Sequence, residues 1–219
     1  PYTTLFRSED LFRPELWDPA DPISHGAAQP VEAEVHSVKQ QIELAAEAGF
    51  RGSLHIVHVT TAEVLDIIAA NRSTHRFAIR GGVTPHHALL EESVARKSEI
   101  PEWKVNPPIR PREIQEALYR RVMSGSIDWI ESDHAPHTLE DKRAGASGIP
   151  GIPAFRLLAD MLRERLSPDD VDRLTHRGVV DAFQIPAKAF PENPNAFAPW
   201  SYQSAADEYP WDPYRFLSS

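Results

Sequence analysis

Three short runs rich in apolar and β-branched residues, SLHIVHV (53–59), RFAIRGGV (76–83) and SIDWIESD (126–133), are separated by stretches with helical spacing. That alternation constrains the fold more than any other feature. From Pro30 to Gly49, residues Val31, Val35, Val38, Ile42 and Ala45 recur at helical intervals, with Pro30 suited to a first turn and Gly49 to a stop. Thr60-Thr61-Ala62-Glu63 predicts a capping box opening a second helix through Ala70. Pro111 opens a third over 111–124, with Ile114, Leu118 and Val122 inward, and a fourth fits about 153–165. Strand, helix, strand, helix in this order predicts an α/β fold with a parallel sheet buried on both faces.

With 219 residues there is room for one sizeable domain and a single core. The chain has no Cys, which excludes disulfides and thiolate metal sites, so any metal ligands are His or carboxylates. A formal net charge of -9 argues against non-specific nucleic-acid binding. No apolar run reaches the roughly 18 residues of a membrane span, and no secretory signal is visible, so a cytoplasmic setting is expected. From about Pro186 the composition shifts: six prolines alternate with Trp200, Tyr202, Tyr209, Trp211 and Tyr214. That mixture predicts an extended tail over 186–219, anchored on the folded body by its aromatic rings rather than by a helix.

Two of the three strands end in metal-competent side chains. His55 and His58 lie three apart, so along a strand they face opposite sides and only one can point into a site. Asp133 closes the third strand and is followed by His134, Ala135, Pro136 and His137. Active sites of parallel α/β folds gather where strands pass into their following loops, and an imidazole with a carboxylate suits Zn²⁺ or a similar ion. Each residue also has a plainer explanation. A single strand His is commonly a core residue, DHAPH reads as a helix N-cap with a turn proline, and His86-His87 reads as loop polarity. His25, His36, His75 and His176 read as structural or solvent-facing.

Taken together and in order, HIVHVTTAE, GGVTPHHALL, KVNPPIR, DWIESDHAPHT and SGIPGI resemble the C-terminal half of dihydroorotase, a member of the amidohydrolase superfamily, over residues 9–185. Dihydroorotases interconvert dihydroorotate and N-carbamoyl-aspartate in pyrimidine synthesis. The resemblance implies the C-terminal half of a (β/α)8 TIM barrel with a binuclear Zn²⁺ site at the strand C-termini. It gives His58 and Asp133 as metal ligands, with Asp133 also the general base and acid. It gives Asn106 and His137 as contacts to the substrate ring and carboxylate, and Ser147 and Gly148 as a loop step touching substrate through backbone. His55, Arg110 and the His86-His87 pair receive no catalytic task.

The resemblance has gaps. Residues 1–8, PYTTLFRS, back-translate to the end of a common short-read sequencing adapter, so native sequence is expected to begin at Glu9. Glu9-Asp10 match the last two letters of a H-A-E-D-like fifth-strand motif, whose His is absent. Also missing are the first-strand H-x-H pair with its Arg and the bridging ligand of the fourth strand. The chain alone is therefore expected to be inactive, with function belonging to the parent product. Residues 186–219 lack the usual β-sandwich pattern. Three other outcomes fit the same residues: an allantoinase or hydantoinase, a non-catalytic dihydroorotase-like partner of aspartate transcarbamoylase, and a self-associating half-barrel that forms homo-oligomers.

Overall fold

The computed structural model describes residues 2–3, 11–18, 21, 23–97, 102–189, 201–215 and 217. Its centre is a parallel four-stranded sheet, in the order β1 (Tyr2–Thr3), β2 (Ser53–Ile56), β3 (Ala78–Val83) and β4 (Trp129–Ile130). Tyr2 and Thr3 pair with Leu54 and His55 at one edge; the rest of the segment 1–8, and Glu9-Asp10, lie outside the described residues. Pairing runs past the regular strands, since Val59 N–H donates to the Gly82 carbonyl and Glu131 N–H to that of Val83, each at 2.9 Å.

Four main helices follow the expected pattern. These are α2 (Val31–Glu47), α3 (Ala62–Asn71), α5 (Arg112–Met123) and α7 (Gly151–Arg163), with α1 (Ser24–Ala28) and α4 (Pro85–Leu89) as short additions. Val35, Val38 and Ile42 of α2, Val64, Leu65 and Ile68 of α3, and Leu118 and Val122 of α5 close against Leu54, Ile56, Ile79 and Val83 of the strands. Pro30 and Pro111 cap their helices from just outside, and Gly49 ends α2 at φ 66°, a conformation a side chain resists. The helix predicted over 153–165 begins two residues earlier, at Gly151. There a Cβ would lie 1.7 Å from the Ser132 carbonyl oxygen, so only glycine lets the helix start so close to the chain leaving β4.

The N-cap of α3 is Thr61, whose hydroxyl accepts from Val64 N–H at 3.2 Å, and not Thr60 in a box with Glu63. Thr60 is committed elsewhere. Its hydroxyl bonds the Glu34 carboxylate and accepts from Arg110 Nε at 2.9 Å. Arg110 further donates to Glu34 Oε2 at 3.1 Å and to the Gln29 carbonyl at 2.6 Å, making a buried ion pair that ties α2 to the turn after β2. A bare arginine there would leave a charge stranded away from water; Glu34 and the two oxygens supply its partners.

The chain then runs through α6 (Leu139–Arg143), α8 (Pro168–Asp172), a π turn (Arg173–Arg177) and α9 (Gly178–Phe183). Two rings of the tail are buried. Trp211 and Tyr214 join Leu90, Trp103, Val105, Ile109 and Ile149 in a second apolar cluster, with Trp103 Nε1 donating to the Pro213 carbonyl at 3.0 Å. It also forms a short helix, α10 (Tyr202–Ala206), where extended chain is expected. The Ser201 hydroxyl accepts from Ser204 N–H, and that reciprocal cap starts the turn. Trp200 falls outside the described residues.

Candidate functional site

Both strand-end residues adopt backbone angles that L-residues avoid: His58 has φ 41° and Asp133 φ 40°. Each comes just after the C-terminal end of a parallel strand, β2 or β4, so the two share one edge of the sheet. Left-handed turns at non-glycine residues cost free energy and persist where surrounding contacts hold them, commonly at functional sites. His58 is buried, while the Asp133 side chain keeps 37% of its surface. Burial lowers the His58 pKa, and the charges of Asp133 and Glu131 pull it back up. Desolvation raises the Asp133 pKa; His58 opposes that shift and Glu131 adds to it. The two groups thus lie within each other's field.

Glu131 is the residue that motif reading passes over. Its carboxylate bonds the His55 ring, accepts the His58 backbone N–H at 3.0 Å and accepts Trp129 Nε1 at 2.9 Å. These partners hold its pKa below the usual value although burial pushes the other way. A Cβ on Gly82 would lie 1.8 Å from Glu131 Oε1, so the carboxylate crosses β3 only because position 82 is glycine. His55 therefore has a structural partner. The alternation of faces along β2 does not extend to His58, because the strand ends at Ile56 and the left-handed backbone at residue 58 redirects the chain. The period-2 spacing of Trp129, Glu131 and Asp133 was the available signal.

His86 and His87 are not loop polarity. Thr84 caps α4, which places both rings in the interior, 0% and 3% exposed. His87 is bonded at both nitrogens, to the Thr84 hydroxyl at 2.7 Å and the Pro107 carbonyl at 2.9 Å. Among the described residues neither ring nitrogen of His86 has a hydrogen-bond partner, and its Nε2 lies 3.7 Å from Asp133 Oδ2. Burial drives its pKa down to about 3, so the ring is neutral. Of the two roles expected of His25, structural or solvent-facing, it takes the first. It is buried on α1 against Trp17, its pKa lowered to about 4 by burial and then by Lys104 and Arg110. His36 and His176 are exposed and His75 is half-buried.

The loops around Asn106 and Ser147 meet on the same side. His137 Nε2 bonds the Ser147 carbonyl at 2.9 Å, and Gly148, at φ 125°, brings its N–H to the Lys104 carbonyl at 2.9 Å. Any Cβ on Gly148 would meet Ala135 and the His137 ring at 2.7–3.1 Å, so glycine permits the close packing of the two loops. DHAPH itself does not cap a helix: Thr138, with Asp141, caps α6. Lys142, wholly buried, donates to the carbonyls of Lys104, Ala146 and Gly148 at 2.8–3.0 Å, which fixes the loop from behind. Tyr209 of the tail bonds His134 Nε2 at 3.0 Å, and Trp211 Nε1 donates to the His137 carbonyl at 3.2 Å.

Among the described residues, no group of three His, Cys, Asp or Glu side chains is arranged to hold a metal ion. His58 and Asp133 are two donors, and two donors do not fit a binuclear zinc centre. No helix among the described residues is long and apolar enough to cross a membrane.

Comparison with known proteins gives the same direction as the motifs. The dihydroorotase of Pyrococcus furiosus is 35% identical over 170 residues, 77% of this chain and 39% of that protein. The Archaeoglobus fulgidus dihydroorotase is 43% identical over 122 residues, 55% of this chain and 26% of that protein. The chain thus spans about two fifths or less of these relatives' lengths. No protein-family profile matches it. In fold it is similar to the L-hydantoinase (dihydropyrimidinase) of Arthrobacter aurescens, with TM-score 0.66 and 24% identity over 77% of this chain and 39% of that one. It is also similar to a dihydroorotase of Campylobacter jejuni, with TM-score 0.55 and 19% identity over 73% of this chain and 45% of that one.

Proposed function

Because the chain is a sequence relative of dihydroorotases over about three quarters of its length, we propose that it forms the C-terminal part of the (β/α)8 barrel of such an enzyme. That enzyme adds water across the cyclic amide of (S)-dihydroorotate to give N-carbamoyl-L-aspartate, and runs the reverse reaction, in the cytoplasm. The observation that carries the reading is the pair His58 and Asp133. Both sit in left-handed turns immediately beyond parallel strands of one sheet, where barrel enzymes place their chemistry.

In this reading Asp133 takes the proton of the attacking water and delivers it to the departing ring nitrogen. A carboxylate does this well when held close to the reacting atoms. His58 and Asp133 are also the chain's contribution to the zinc ligands, the others coming from the part of the barrel that the relatives have and this chain does not match. Asn106 and His137 contact the ring and its carboxylate, and the Ser147–Gly148 step offers backbone groups. Lys142 and Glu131 hold these elements in place: one fixes the Ser147–Gly148 loop, the other fixes the backbone of His58.

The test is activity of the full gene product that contains this chain, measured on dihydroorotate and on allantoin. Turnover of dihydroorotate alone is expected. Asp133→Ala should abolish it while leaving a folded protein, and retention of more than about a tenth of the rate would overturn the assignment of the proton-transfer role.

A further inference from the structure

A cavity of about 230 Å³ opens beside the Asn106 and Ser147 loops, walled on the far side by Trp17, His25 and Gln29 and crossed by Lys104. Its electrostatics run against those of the chain. The protein carries a net charge of -9, yet among the described residues no acidic side chain lines this cavity and Lys104 is its one cation. The ammonium is held, not waving. Nζ donates to the Gly145 carbonyl at 2.8 Å and sits 4.3 Å from the centroid of the Trp17 ring, which leaves donor capacity pointing elsewhere. Gln29 Nε2 donates to Asn106 Oδ1 at 3.1 Å, which fixes the Asn106 amide with Oδ1 occupied and Nδ2 as its remaining donor. His25 is neutral, and three cations, Lys104, Arg110 and Lys142, each disfavour its protonation. The positive field is therefore felt within the cavity itself.

We infer that Lys104 selects an anionic ring over a neutral one at this cavity, taking the carboxylate of a small cyclic-amide ligand while Gln29 orients Asn106 toward the same group. The inference rests on the dihydroorotase reading and sharpens it, because hydantoin and dihydrouracil rings have the cyclic amide without the carboxylate. A fixed ammonium meeting a carboxylate in a partly desolvated pocket is a charge-assisted hydrogen bond, and losing one is worth roughly tenfold or more in affinity.

The experiment titrates the full chain at low salt with dihydroorotate, with 5,6-dihydrouracil and with allantoin, following amide shifts by NMR. The expected result is at least about tenfold preference for dihydroorotate. Lys104→Met should remove that preference by weakening dihydroorotate about tenfold while dihydrouracil changes less than about twofold. Lys104→Gln, which keeps a donor for the Gly145 carbonyl but no charge, should do the same, and Lys104→Arg should restore most of it. A wild-type chain that binds the two rings equally, or variants that keep the preference, overturns the inference and leaves the dihydroorotase reading standing. A chain that binds allantoin and not dihydroorotate overturns both.

Discussion

The apolar cluster behind the sheet draws on elements whose spacing announces them, whereas the cluster around Trp103 and Tyr214 is assembled from loops and a segment more than a hundred residues distant. In the first, Val38, Ile42, Leu65, Ile68, Leu118 and Val122 sit one helical turn apart and meet β-branched strand residues. In the second, Trp103 reaches Pro213 across 110 residues of sequence, and Ile109, Ile149 and Trp211 belong to no long regular element. The sheet cluster explains why the chain folds. The loop cluster explains why Asn106, His137 and Ser147 come together, because its members flank all three in sequence and Trp211 bonds the His137 carbonyl. Between the two runs the buried Arg110–Glu34 pair.

Breaking that seam is expected to have the largest effect. Arg110→Met strands Glu34 away from water, and denaturant unfolding should show a loss of about 3–5 kcal/mol. A loss under about 1 kcal/mol would mean that the carboxylate finds water, and that the two clusters are less tightly joined than the distances imply. Truncations within the clusters come next. Leu158→Ala, fully buried behind the sheet, should cost about 2–5 kcal/mol and lower amide protection throughout β2 and β3. Trp211→Ala should expose 201–215 to protease while the strand amides stay protected. If both variants loosen the same amides, the two clusters form one cooperative unit and the contrast fails.

Acid should then act at α1, outside both clusters. His25 is buried neutral, its pKa lowered from 6.5 to about 4. The unfolded chain therefore binds a proton that the folded chain refuses between those values. Stability is fully present above pH 6.5 and is lost as pH falls toward 4, by about 3 kcal/mol from this group alone. Urea midpoints measured across that window should fall less steeply for His25→Gln than for the wild type, the remaining slope belonging to the buried neutral His86 and His87; parallel curves would remove His25 as a contributor. The smallest effect is expected at Tyr214, whose ring is fully buried with no hydrogen-bond partner for its hydroxyl among the described residues. Tyr214→Phe should change stability by less than about 1 kcal/mol, or raise it, because no bond is lost. A loss of 2 kcal/mol or more would reveal a partner for that oxygen.

Legibility in the sequence divides along the same line. Helix α2, with Val35, Val38 and Ile42 inward, and β2 and β3 could be read from periodicity alone, because side chains of periodic elements repeat their environment. The strand around Trp129 could be placed, though its regular pairing is shorter than SIDWIESD predicts. The edge positions of His58 and Asp133 could also be had from their place after strands. The burial of His25, His86 and Lys142 could not be found that way, and for Glu131 the alternate spacing gives the side of the strand but not its partners. Their burial is created by segments far off in the chain: Gly82 opens space for Glu131, Trp17 covers His25, and three loop carbonyls receive Lys142. Local pattern carries no trace of such neighbours. Thr60 shows the limit in miniature, a good capping residue drawn away by an arginine fifty positions on.

The two left-handed turns carry a practical consequence for anyone improving this protein by selection. At φ near 40° a glycine is at ease and an imidazole or carboxylate is not, so a screen rewarding heat resistance alone will drift toward glycine at positions 58 and 133. Such a library would grow hardier while discarding both side chains that the proposed site needs, and its winners should be counted as scaffolds.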